Sequence, residues 1–126
     1  MPKLLNLAFL AAFLPSPLMA DEVTDANAAL EMWAPNSIEF RNGTLTVTLP
    51  QSRITEQIYM AVLTSGLCLG QLTGKNFSKV SELIVLNQFG QQGYVNENGS
   101  GDCDQLNSVG GTDAQRLIIW GATHLF

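Results

Sequence analysis

The densest run of potential ligands in this 126-residue chain is Asn96-Glu97-Asn98-Gly99-Ser100-Gly101-Asp102-Cys103-Asp104. Oxygen-bearing side chains fall at every second position, at Asn96, Asn98, Ser100, Asp102 and Asp104, and Gly101 stands where a calcium loop turns sharply. The first two ligands would be neutral amides, however, and the twelfth position is Asn107 rather than a bidentate glutamate. A polar turn leading into a helix capped by Ser100 or Asp102 accounts for the same residues. The reading is therefore a turn, with no metal and no cofactor expected.

Other catalytic sets are thin. His124 is the sole histidine, so a metal site would need carboxylates for nearly all remaining ligands. A serine hydrolase would have to use that histidine as base, two residues before Phe126, and no Gly-x-Ser-x-Gly turn is present. Glu39, Glu56, Glu82, Glu97, Asp102 and Asp104 supply carboxylates for glycoside cleavage, but spacing alone sets no two of them across a cleft.

The two cysteines, Cys68 and Cys103, are expected to pair with each other. Closing a loop of about 36 residues stabilises a small domain by roughly 3–4 kcal/mol in the chain-entropy picture. Asn42-Gly43-Thr44, Asn76-Phe77-Ser78 and Asn98-Gly99-Ser100 match the glycan acceptor pattern. All three fall in expected turns, which favour the same residues.

The compartment follows from the first twenty residues. Lys3 precedes an apolar run from Leu4 to Leu14, too short to span a bilayer. Pro15 and Pro17 break it, Ala20 offers a small residue for cleavage, and Asp21 and Glu22 begin the expected mature chain. Residues 1–20 are thus read as a cleaved signal peptide and 21–126 as one compact domain, periplasmic or secreted. Six basic and eleven acidic residues give a net charge of −5. Losing Lys3 makes it −6, and Arg41, Arg53, Lys75, Lys79 and Arg116 are scattered, so nucleic acid and anionic membranes are poor partners. Phe126 at the end of an expected strand is read as buried in the core. Membrane insertion as a barrel is rejected, since about eight strands of about ten residues would be needed.

The elements that must position these groups are short. A helix over Ala26–Trp33 with Asp25 as cap ends at Pro35. Ser37–Phe40 and Thr44–Leu49 flank Asn42-Gly43 as a hairpin, the second strand alternating threonine with Leu45, Val47 and Leu49. Ile54, Ile58, Ala61, Val62, Ser65 and Leu69 recur at helical spacing, giving a central helix that runs out near Gly66–Gly70. Leu83–Leu86 and Tyr94-Val95 form a second hairpin around Gly90–Gly93. A short helix through Cys103–Val109 ends at Gly110-Gly111, and Arg116–Trp120 with Ala122–Phe126 reads as a closing strand interrupted at Gly121.

The expected fold is α+β, a small antiparallel sheet of about five strands with two hairpins, packed by one central helix and two short ones. With no convergent catalytic set, the expected function is a non-catalytic binding or accessory domain, recognising or inhibiting another extracytoplasmic protein. Its expected interaction surface combines the turn Gln91-Gln92 with Asn96, Glu97, Asn98 and Ser100. A small-ligand carrier with an apolar pocket between sheet and helix, and a minimal carboxylate hydrolase, are the competing readings. Trp33, Tyr59, Tyr94 and Trp120 separate the first two: packed in the core they disfavour the carrier, and lining a shared pocket they support it. Oligomeric state is left open.

Overall fold

The computed structural model describes residues 18–126. Residues 1–17 of the expected signal peptide lie outside the described residues. Helix α1 (Leu18–Ala29) comes first, followed by one 3-10 turn at Glu31–Trp33. Asp25 therefore sits inside α1 rather than capping it, and its carboxylate accepts the backbone N–H of Asn76 at 2.8 Å. Ala34, at φ 49°, and Pro35 then turn the chain into the sheet.

Strands β1 (Ser37–Arg41) and β2 (Thr44–Thr48) form the expected hairpin. Asn42 and Gly43 both take positive φ, 52° and 85°, as a two-residue hairpin turn requires. The central helix, α2, is continuous over 56–72. It comprises α-helical Glu56–Ala61, a π-helical stretch Val62–Cys68 and α-helical Leu69–Leu72. Thr55 caps it, its hydroxyl accepting the Ile58 N–H at 3.1 Å. The helix passes through Gly66 and Gly70 instead of ending there, because both glycines serve packing. A Cβ on Gly66 would strike Leu30, and one on Gly70 would press on Ala29 and Phe77. Helix α1 thus lies close against α2.

Strands β3 (Glu82–Leu86) and β4 (Gly93–Asn96) make the second hairpin, and β5 (Thr123–Leu125) adds to β4 antiparallel. The order is β1-β2-β3-β4-β5. The α+β class, five strands, two hairpins and the disulfide hold. The sheet is mixed rather than wholly antiparallel, because β2 and β3 pair in parallel from Thr44↔Glu82 to Thr48↔Leu86. The cause is α2, a crossover long enough to return the chain to the end of the sheet where β2 began.

The largest departure from the sequence reading is at 112–121. Arg116–Trp120 is not a strand but the last turns of helix α4 (Thr112–Gly121), which follows the short helix α3 (Ser100–Leu106). The run Leu117-Ile118-Ile119-Trp120 is continuous in apolarity and resembles a buried strand, yet only Ile119 is fully buried while Leu117 is exposed. Gly111, at φ 95°, opens α4 rather than ending α3, which stops at Asn107.

One face of the sheet carries the core. Leu45, Val47, Leu83 and Val85 meet Tyr59, Leu63 and Leu67 of α2, all at 0% exposure. The layer between sheet and central helix is filled by these side chains, where the carrier reading anticipated an apolar pocket. Phe126 is 56% exposed, contrary to the expected burial. Its N–H bonds Gly93 O at 3.1 Å, so it lies at the edge of the sheet, beyond reach of the core.

Candidate functional site

The polar run 96–104 folds onto itself. Asn96 is fully buried, and its Oδ1 accepts the N–H groups of Asn98 (3.0 Å) and Gly99 (2.7 Å). Its Nδ2 donates to Asp102 Oδ2 at 2.8 Å, while Asn98 Nδ2 donates to Asp102 Oδ1 at 2.7 Å. Asp102 is itself 2% exposed, so both its oxygens are taken by amides. Gly99, at φ 47°, packs its Cα against Val80 O, a position closed to any Cβ. Asp104 accepts from Gln71 at 2.7 Å. Of the oxygens that suggest a calcium loop, that of Asn96, both of Asp102 and one of Asp104 are thus engaged with donors of the chain itself. Among the described residues no group of three or more His, Cys, Asp and Glu side chains is placed to hold a metal ion.

This knot is fastened by the disulfide. Cys68, at the end of the π stretch, and Cys103, next to Asp102, are bonded with Cα atoms 4.8 Å apart and both are buried. The wider turn of the π segment carries Cys68 toward α3. The knot also touches Tyr59, whose hydroxyl lies 2.6 Å from Thr123 Oγ1. Thr123 gives its own hydrogen to Ile119 O, so Tyr59 is the donor between them. Burial pushes the Tyr59 hydroxyl up to about 12, and the nearby Asp102 charge adds to the shift.

The expected interaction surface is not one surface. Gln91-Gln92 and Asn96–Ser100 stand at opposite ends of β4, separated by four residues or roughly 13 Å of strand. Gln92 is spent in clamping Ile54, accepting its N–H at 2.6 Å and donating to its carbonyl at 2.9 Å. Asn87 holds the same turn, accepting from the backbone of Gln91 and Gln92. Asn96 is interior and Ser100 half-buried, leaving Gln91, Glu97 and Asn98 in solvent. Glu97 faces His124, 3.7 Å away on exposed β5.

The concave surface lies elsewhere. Glu56, Met60 and Thr64 repeat every four residues along one stripe of α2, with Gln57 beside them, and face Thr112, Gln115 and Arg116 of α4. Together they bound an open groove of about 460 Å³. It mixes a thioether, hydroxyls, amides, one carboxylate and one guanidinium. Of the carboxylates considered for hydrolysis, Glu56 alone stands on its wall. Adjoining it, a hollow of about 350 Å³ is bounded by Asp113, Arg116, Leu117 and Trp120. Leu117 is 76% exposed.

Trp120 forms the floor of this second hollow and packs with Tyr59 and Tyr94 in a triangle of ring centroids 4.9–5.5 Å apart. Trp33 instead lies over Gly66. All four aromatic residues thus pack in or against the core and do not surround a shared cavity. Trp120 Nε1 is buried without a hydrogen-bond partner. Reading 116–120 as a strand hid this face. The signal that reveals it is the recurrence of Ala114, Ile118 and Ala122 at intervals of four after Gly111-Thr112-Asp113.

Comparison with protein-family models, with curated proteins and with solved structures found no match to this chain.

Proposed function

We propose that this protein is a small exported, non-catalytic binding domain that docks another extracytoplasmic protein against the α2–α4 groove. The observation that carries the reading is the outer face of α4. A largely exposed Leu117 stands beside Trp120 at the rim of a concave, mixed-polarity groove, the arrangement by which an interface anchors an apolar side chain inside a polar border. The chain's net charge of −5 favours a basic partner. Export is supported by the leader-like residues 1–20 and by the disulfide, and none of the described helices is long and apolar enough to cross a membrane.

The test is capture of a stoichiometric partner by the purified, disulfide-intact protein, repeated with Leu117→Asp and with Met60→Asp. Loss of the partner in both variants, with melting temperature preserved, supports the reading. A partner retained by both variants removes the groove from consideration. A small molecule that native mass spectrometry finds bound in place of any protein moves the function to a carrier.

A further inference from the structure

We propose that β5 is a dimerisation edge, through which two copies of this chain pair antiparallel about a two-fold axis at His124. The backbone sets the geometry. Glu97 N–H bonds Ala122 O, and Phe126 N–H bonds Gly93 O. With the register Tyr94↔Leu125, Val95↔His124 and Asn96↔Thr123, residues 122, 124 and 126 turn their polar groups toward β4. Thr123 and Leu125 therefore direct theirs outward, along an edge that no strand among the described residues occupies. One antiparallel register satisfies both residues at once. Thr123 of each copy exchanges N–H···O bonds with Leu125 of the other, and the two His124 residues meet as the non-hydrogen-bonded pair at the axis.

The side chains fit the same register. Phe126, 56% exposed, comes to lie across from the partner's Ala122, large against small, while Leu125, 72% exposed, lies beside the partner's Thr123. Charge does not oppose the pairing: in a chain of net charge −5, β5 carries no acidic residue, so its copy brings no carboxylate of the strand against another. Edges are ordinarily guarded by lysine, proline, a bulge or shortness; Thr123-His124-Leu125 has only the last of these, at three residues. The inference is independent of the partner assigned to the groove.

Sedimentation equilibrium of the purified, oxidised protein from micromolar to millimolar concentration is expected to show a reversible monomer–dimer equilibrium. Leu125→Pro removes an outward N–H and leaves the β4–β5 bonds in place, and is expected to weaken the dimer at least tenfold, since it deletes two bonds per dimer. His124→Cys is expected to give an intermolecular disulfide on mild oxidation, because non-hydrogen-bonded pairs bring Cα atoms to about 4.5 Å. Thr123→Cys is not. A monomer at every concentration overturns the proposal, as does a dimer that Leu125→Pro leaves intact. Should Leu125→Pro fail to fold, absence of the His124→Cys cross-link overturns it equally.

Discussion

Two regions that meet through α3 and α4 use polar side chains in opposite ways. At the knot, Asn96, Asn98 and Asp102 spend their side-chain amides and carboxylate on one another and on the backbone, behind a buried disulfide. At the groove, Arg116 makes no ion pair among the described residues and Leu117 faces solvent. Satisfied groups have little left to offer a ligand, whereas unsatisfied ones gain on contact. Density of polar residues in the sequence pointed to the first region; their availability in the fold points to the second.

The contrast can be broken most forcefully at the disulfide. Replacing Cys68 and Cys103 by serine should cost roughly 3–4 kcal/mol and lower the melting temperature by more than about 10 °C in calorimetry. Next, Asp102→Ala leaves the buried amide of Asn96 and the exposed amide of Asn98 without their acceptor. A loss of about 3 kcal/mol in urea titration is expected, with hydrogen exchange rising at Asn98 and Gly99. A loss under about 1 kcal/mol would mean that the knot is not holding this end of the domain.

Tyr59 gives a smaller and pH-dependent effect. Folded Tyr59 holds its proton more tightly than the ordinary tyrosine value of 10, so its contribution is complete below pH 10 and is lost as the pH climbs through about 12. Tyr59→Phe should cost about 1 kcal/mol at neutral pH and flatten the alkaline limb of the stability curve. A limb of unchanged steepness would assign that loss to other groups. The smallest effect on stability belongs to the groove, where Leu117→Asp is expected to change it by less than about 0.5 kcal/mol. A large destabilisation there would make Leu117 part of the fold and end the contrast between the two regions.

Local chemistry was readable where it determined structure by itself. Asn42-Gly43 specified its hairpin, the alternation of Thr44–Leu49 its buried face, and the cysteine count its disulfide. What depended on distant partners was not readable. The parallel β2–β3 ladder follows from how α2 packs, and Gly66 and Gly70 look like helix breakers until Leu30, Ala29 and Phe77 are seen resting on them. The groove was hidden for a related reason. An unbroken apolar run such as Leu117–Trp120 satisfies a strand and a helix equally, and only its packing shows that Leu117 and Ile119 point to different surroundings. Likewise, nothing local distinguishes an exposed asparagine from Asn96, which is interior because α3 turns Asp102 toward it.

The parallel seam between β2 and β3 also governs how the chain must assemble. Each hairpin is local and forms on a microsecond scale, but joining them into one sheet brings together Thr44 and Glu82, separated by 38 residues. Among the ladders of the sheet that closure is the least local, and it is expected to carry the largest entropic barrier of sheet assembly. The bond from Cys68 to Cys103 encloses β3 and β4 but neither β1 nor β2, so most of the chain between Thr44 and Glu82 lies outside the loop it closes. Oxidation should therefore leave the refolding rate nearly unchanged and act on the escape rate, making the disulfide a device for lifetime in the folded state rather than for speed in reaching it.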